Sequence, residues 1–372
     1  MMRQLLSIAI LLLVSIRPAA CLAQDADLTV RLGVAPRRGG VVVMLFDSAE
    51  GFEDFRAPAR VETFAAGDPA ALVLRDVPVG TYALVVFNDE NGNRRLDVNF
   101  IGIPKEPIGF ANAYRPKGPP GFERAAFRVE EGTNAVVDVG LARPLGNRGR
   151  LGLGVGVLAR GSPYVESSGN PVLFIPAVTY IGNRLQVYGP FAQCGITGSG
   201  GTRLAATLAY RMAVYEEDDS PALEGMEDRK ATAMAGLRLQ RNAPGGIHLQ
   251  AGYAHDMLDR IGGGQAQAGL SRPVPWRSMR VTPSLSANWI SAALVRHDFG
   301  VAPEEATPDR PAYRPGDSFS LEAGLSVFAE ITPSVFGALS AGIEWFGDDI
   351  RHSPIVDDDR VLKGYAFITT ML

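Results

Sequence analysis

Cysteine is almost missing from this chain: 372 residues hold two, Cys21 and Cys194. Cys21 falls within a secretory leader expected over residues 1–23, with Arg3 as the positive start, Leu5–Ile16 as the apolar stretch and Cys21-Leu22-Ala23 before Gln24. Pro18-Ala19-Ala20 lacks the leucine of a lipoprotein signal, so the leader is read as cleaved and Cys194 is left without an intramolecular disulfide partner. Long apolar runs are missing as well. Beyond the leader nothing approaches the roughly 18 uninterrupted apolar residues of a membrane-crossing helix. No excess of positive charge invites nucleic acid, since the net charge is −4. Histidine is sparse, and His248, His255, His297 and His352 show no metal-ligand spacing. Neither a G-x-S-x-G elbow nor a Cys–His arrangement is present, and no enzyme is expected.

What the chain does have is alternation. Over 279–289, Met279, Val281, Pro283, Leu285, Ala287 and Trp289 share one face, against Arg280, Thr282, Ser284, Ser286 and Asn288 on the other. Residues 319–327 and 247–253 repeat the pattern. A two-residue period means β-strand. Soluble strands usually run about 5–6 residues, whereas strands that cross a membrane need about 9–11. Residues 150–372 are therefore expected to form a transmembrane antiparallel β-barrel, greasy outside and wet within. Threading it with short turns inside and long loops outside puts 213–230, 257–263, 290–317 and 347–360 outside the cell. The short turns at 242–245, 272–275 and 331–333 then face the periplasm. If 184–201 holds two strands broken near Gly189-Pro190, the count is twelve; merging strands gives ten.

Residues 27–142 follow another grammar. Leu28–Leu32, Val41–Phe46, Ala71–Leu74, Tyr82–Phe87, Ala125–Val129 and Ala135–Leu141 are short β runs, the spacing of a small antiparallel β-sandwich in the periplasm. In Asp76–Tyr82, Pro78 fixes φ and Gly80 is expected to take the positive φ of a turn. A linker is placed at 142–150.

One cluster carries ligand chemistry. Asp89, Asn91, Asn93 and Asp97 fall at relative positions one, three, five and nine, a pattern whose oxygens can converge on calcium. The match is incomplete, because Arg94 replaces the glycine at position six and Phe100 stands where a bidentate carboxylate belongs. The simpler reading is a polar turn built on Asn91-Gly92, with no cofactor. Trp289, Tyr253, Phe319, Trp345 and Tyr365 fit an interfacial aromatic girdle. Gly152, Gly154, Gly156, Ser284 and Ser286 point inward and leave room in the lumen, which keeps a passive small-solute pore as the alternative function.

Both halves resemble known families. Residues 27–142 resemble the uncharacterised bacterial domain family 2141 through Val77–Tyr82, Asp89–Asp97, Ile101–Pro107, Gly109–Asn112, Gly118-Pro119-Pro120 and Phe122-Glu123. Residues 150–372 resemble the MipA/OmpV family of MltA-interacting proteins. The carriers are Gly152–Gly156, Pro171–Tyr180, Leu223–Asp228, Phe299-Gly300-Val301 and Ser353–Val356. The resemblance implies an outer-membrane barrel, set in outer-membrane lipid and lipopolysaccharide, that scaffolds murein machinery. Its implied partners are a lytic transglycosylase and a bifunctional penicillin-binding protein. The expected mechanism is anchoring of the periplasmic domain, which raises its effective concentration toward wall-bound partners.

Overall fold

The computed structural model describes residues 25–372 except 54, 68–70, 100–101, 117–119, 147–148, 168–171, 200 and 278. The leader expected over 1–23, Phe100, and Asn147 and Arg148 of the linker lie outside the described residues.

The first half is two sheets face to face. β1 (Ala26–Leu32) lies between β4 (Ala71–Val77) and β8 (Ala135–Val139). The second sheet is ordered β3 (Arg60–Ala65), β2 (Gly40–Phe46), β5 (Gly80–Asp89) and β6 (Ile108–Phe110), with β7 (Ala126–Val129) also on β5. β1 and β8 run parallel, unlike the other pairs. They are the first and last strands of the domain, so no hairpin constrains their direction. Val41, Val43, Leu45, Leu84 and Val86 face the first sheet, joining Leu28, Val30, Leu72 and Leu74 in the inter-sheet core. The opposite face, with Val42, Met44, Phe46, Val85 and Phe87, is covered by Phe52 of α1 (Ala49–Glu53), by Phe110 and by Tyr114. At the β4–β5 turn it is Asp76, not Gly80, that takes positive φ, at 54°. Gly80 is crowded instead: a Cβ there would stand 3.1 Å from the Tyr82 ring.

The second half is one antiparallel wall closed on itself. Its strands are β9 (Arg150–Arg160), β10 (Val172–Ile181), β11 (Leu185–Tyr188), β12 (Phe191–Ser199), β13 (Thr202–Arg211) and β14 (Thr232–Ala243). They continue with β15 (Ile247–Asp256), β16 (Gly264–Ser271), β17 (Val274–Trp276), β18 (Met279–Ile290), β19 (Ser318–Thr332), β20 (Val335–Phe346) and β21 (Arg360–Met371). β21 pairs with β9 and closes the ring. β16 and β17 both pair with β18 in one unbroken register, so they form a single stave and the barrel has twelve. The turn expected at 272–275 is thus displaced beyond Trp276. Pro273 cannot donate to the ladder and interrupts the stave without ending it. Following cross-strand partners once round the wall returns to β9 about sixteen residues from the start, a stagger that with twelve strands means a tilt of roughly 45°.

Crowding on the concave face explains the inward glycines more directly than lumen space does. A Cβ at Gly154 would lie 1.9 Å from the Ile368 carbonyl oxygen, and one at Gly152 2.3 Å from Thr179 Oγ1. Trp289 pairs with Phe319 on the lipid face near the outer rim, with Trp345 and Tyr253 nearby on the same face. Tyr365 does not belong to that girdle. It lies in mid-strand on the lumen face, stacked on Phe367 at 6.2 Å.

Candidate functional site

The outer end of the barrel is covered by its own loops. Those at 161–167, 212–231, 291–317 and 347–359 bring Tyr164, Tyr215, Leu223, Met226, Val295, Phe299, Val301, Ile350 and Ile355 into one buried cluster. Inward-facing Phe346 and Val361 join it from the wall. Charged pairs tie the loops together. Arg211, at the top of β13, pairs with Asp298 in α2 (Ala292–Phe299), and His297 Nδ1 lies 2.9 Å from the same carboxylate. Arg229 meets Glu305 at 3.2 Å, and buried Arg310 donates to the carbonyls of Ala222, Glu224 and Glu305. Burial would raise both carboxyl pKa values. The Arg211 charge with His297, and the Arg229 hydrogen bond with backbone donors, outweigh it, so Asp298 and Glu305 titrate below their ordinary values. The motifs Leu223–Asp228, Phe299–Val301 and Ser353–Val356 all converge here, although they are far apart in sequence. Exposed Glu216, Glu217, Asp218 and Asp219 project from the 212–231 loop.

The periplasmic end meets the sandwich domain. The Tyr114 hydroxyl donates to Glu330 of β19, Arg124 Nε stands 3.7 Å from the same carboxylate, and Arg124 also donates to the Ile331 carbonyl at 3.1 Å. Arg150 donates to the Pro116 carbonyl, and Arg272 faces Glu50 at 3.6 Å. Between the domain and the inward ends of the strands lies a cavity of about 2160 Å³. Arginines 56, 94, 95, 115, 143, 150, 184, 203 and 280 line it together with Lys105, and among the described residues the one carboxylate on its wall is Asp97. Some are paired, as Arg143 is with Glu90, yet the balance of charge is positive in a chain whose net charge is −4. His248 faces this space from the lumen side, as its strand register requires. The chamber was not legible beforehand, because its arginines come from loops and strands of both halves.

The structure does bring Asp89, Asn91, Asn93 and Asp97 together, though as a self-bonded turn. Asp89 is buried and accepts from the backbone N–H groups of Gly92, Asn93 and Arg94. Asn91 and Asn93 donate their amides to the two oxygens of Asp97. Glu106, also buried, accepts from the N–H groups of Glu90 and Asp97. Among the described residues no cluster of three or more His, Cys, Asp or Glu side chains is arranged to hold a metal.

Comparison with known proteins adds to this geometry. Residues 153–369 match the family described as MltA-interacting protein MipA, and residues 31–137 match an uncharacterized protein family conserved in bacteria, DUF2141. The outer membrane protein OmpV of Vibrio cholerae is 29% identical over 143 residues, 38% of this chain and 55% of the relative. Omp26La of Vibrio anguillarum is 27% identical over the same shares. The chain therefore spans about half the length of these curated relatives. Among solved structures, a loop-deleted OmpT of Vibrio cholerae gives a TM-score of 0.27 at 7% identity, covering 93% of this chain and 97% of that one. The CymD monoaromatic hydrocarbon channel gives 0.30 at 8% identity, covering 61% and 90%. Scores this low carry no functional argument.

Proposed function

The chain belongs to the MipA family of MltA-interacting proteins and is an outer-membrane β-barrel, and from that premise we propose that it works as an anchored scaffold without catalysis of its own. In this reading the barrel holds the sandwich domain at the inner surface of the outer membrane. There it presents a docking platform to a lytic transglycosylase and a penicillin-binding protein. The observation that carries the reading is the contrast between the two ends. A packed apolar core spans the outer mouth, while a domain bonded to β19 stands at the inner one. A scaffold needs the second feature and tolerates the first; a passive pore needs an open outer mouth. Tethering adds avidity without new contacts, because the platform cannot diffuse away from wall-bound partners.

The full chain in liposomes, floated with a purified lytic transglycosylase and a bifunctional penicillin-binding protein, tests this. Both enzymes should float with the vesicles; flotation of neither removes the scaffold. The pore reading keeps one observation in its favour, the basic chamber, which would favour anions. In planar bilayers at neutral pH the scaffold reading expects no steady open state, whereas steady anion-selective current would replace it with the pore. Activity-based labelling of serine nucleophiles tests the absence of catalysis.

A further inference from the structure

The barrel wall has a gap in its outer half. β11 spans only Leu185–Tyr188 and pairs with β10 at Thr179–Ile181, so among the described residues the ladder of β10 above Thr179 has a strand partner on the β9 side only. On the other flank β12 begins at Phe191, opposite Ala209, and its ladder stops short of Tyr210 and Arg211 in β13. The Gly189-Pro190 turn forms the sill. The Gly189 N–H donates to the Val178 carbonyl at 2.8 Å, and the Tyr210 N–H donates to the Pro190 carbonyl at 2.9 Å. Gly189 has a φ of +54°, a turn conformation that a side chain would strain. Above, Ser220 Oγ donates to the Val165 carbonyl and the Tyr164 and Tyr215 rings meet edge-on at 4.9 Å, which ties the two flanking loops over the opening.

What could fill such an opening is decided by its jamb. The Val178 carbonyl points toward β11, so by alternation Pro176 presents its backbone to the free edge. Proline has no N–H there to offer an added strand, which disfavours a second protein chain pairing in the gap. Elsewhere the lumen faces of β15, β16 and β18 are mainly polar or glycine, for example Gln250, Gln267 and Asn288. Upper β10 is apolar on both faces. Leu173, Ile175 and Ala177 face inward, while Val172, Phe174 and Val178 face outward, with Phe174 84% exposed and Leu173 40%. This apolar jamb runs without a break into the lipid-facing surface of β9, where Val155 is exposed, and exposed Tyr210 stands on the opposite flank beyond the β12 ladder.

We infer that the gap is a lateral window through which an acyl chain of an outer-leaflet lipid enters the wall and lies against Leu173 and Ile175. The occupant follows from continuity with the lipid belt. Water alone would leave two-sided apolar surface exposed at a cost of about 25 cal/mol per Å². The window does not depend on the scaffold reading, because it rests on strand register and on the apolar faces of β10.

The test uses the full chain in vesicles whose lipids carry brominated acyl chains, with Trp276, Trp289 and Trp345 replaced by Phe. One tryptophan is then introduced per variant. Phe174→Trp faces the lipid. Asn288→Trp faces the lumen between paired neighbours Gln267 and Ser320. Leu173→Trp faces the lumen at the window. Bromine should quench Leu173→Trp to the same loss of emission as Phe174→Trp and leave Asn288→Trp unquenched. Quenching of Phe174→Trp alone overturns the window. Should Leu173→Trp fail to fold, a nitroxide on Ile175→Cys in a Cys194→Ser background gives the same decision. Relaxation by membrane-dissolved oxygen supports the window, and relaxation only by an aqueous nickel complex overturns it.

Discussion

Tyr114 and Glu330 lie 216 residues apart and are joined by a single hydrogen bond, the phenol donating to a carboxylate that is 8% exposed. That bond fastens the sandwich domain to the barrel. Tyr114→Phe leaves the buried carboxylate with Arg124 at 3.7 Å as its remaining charged neighbour, at a cost of about 1–3 kcal/mol. Protease should then cut the 142–150 linker faster than in the parent chain, and an unchanged rate would show that the bond does not hold the domain. Burial first, then the Glu330 bond, raises the Tyr114 pKa above its ordinary 10.0. Its contribution is therefore fully present below pH 10.0 and is lost as pH rises through the raised value. Linker cleavage should accelerate only in strong alkali.

Acid should loosen the outer closure. Asp298 and Glu305 titrate below ordinary values of 3.8 and 4.5, so the stability they supply is present above those values and lost as pH falls through the lowered ones. Protease sensitivity of the 212–231 loop should stay flat from neutrality down to these values and rise below them. Arg229→Met should move that rise to neutral pH, because it leaves Glu305 without its cation, at about 3 kcal/mol. An unchanged pH profile in that variant would remove the ion pair from the account.

The turn at 89–97 should behave as structure rather than as a calcium site. Asp89→Ala strands three backbone donors, so the domain should lose on the order of 2 kcal/mol or more, read as faster amide exchange across 89–97 in the full chain. Millimolar calcium should leave exchange in the parent chain unchanged. Protection that rises with calcium and disappears in Asp97→Asn would show that the loop opens into a site.

Closure of the barrel should depend on Gly154. Its Cβ position is 1.9 Å from the backbone oxygen of Ile368, which cannot swing aside as a side-chain tip would. Gly154→Val should abolish the shift in gel mobility between unheated and boiled samples that marks a closed barrel. A preserved shift would mean that the β9–β21 seam relaxes.

Much of the barrel was legible because a two-residue period is local. Twelve staves were countable, including β11 and β12 on either side of Gly189-Pro190 within 184–201. Less regular elements escaped. β3 at Arg60–Ala65 alternates but carries Arg60 and Glu62 among its apolar residues, and β6 has only three residues. Pro273 looked like a turn because it breaks a ladder, yet pairing with β18 carries the stave past it. Tyr365 looked like a girdle residue because its depth depends on strand tilt, which no single strand reveals.

Alternation by itself determined that residues 150–372 form a membrane barrel and which side chains face lipid, since burial in a pleated strand is decided by parity. Only the tertiary structure decided that four loops close the outer mouth, that scattered arginines meet in one chamber, and that β10 above its sill is paired to β9 but not to β11. Each of these is a meeting of distant segments, set by stagger and loop packing, and neither leaves a repeating mark in the residues that take part.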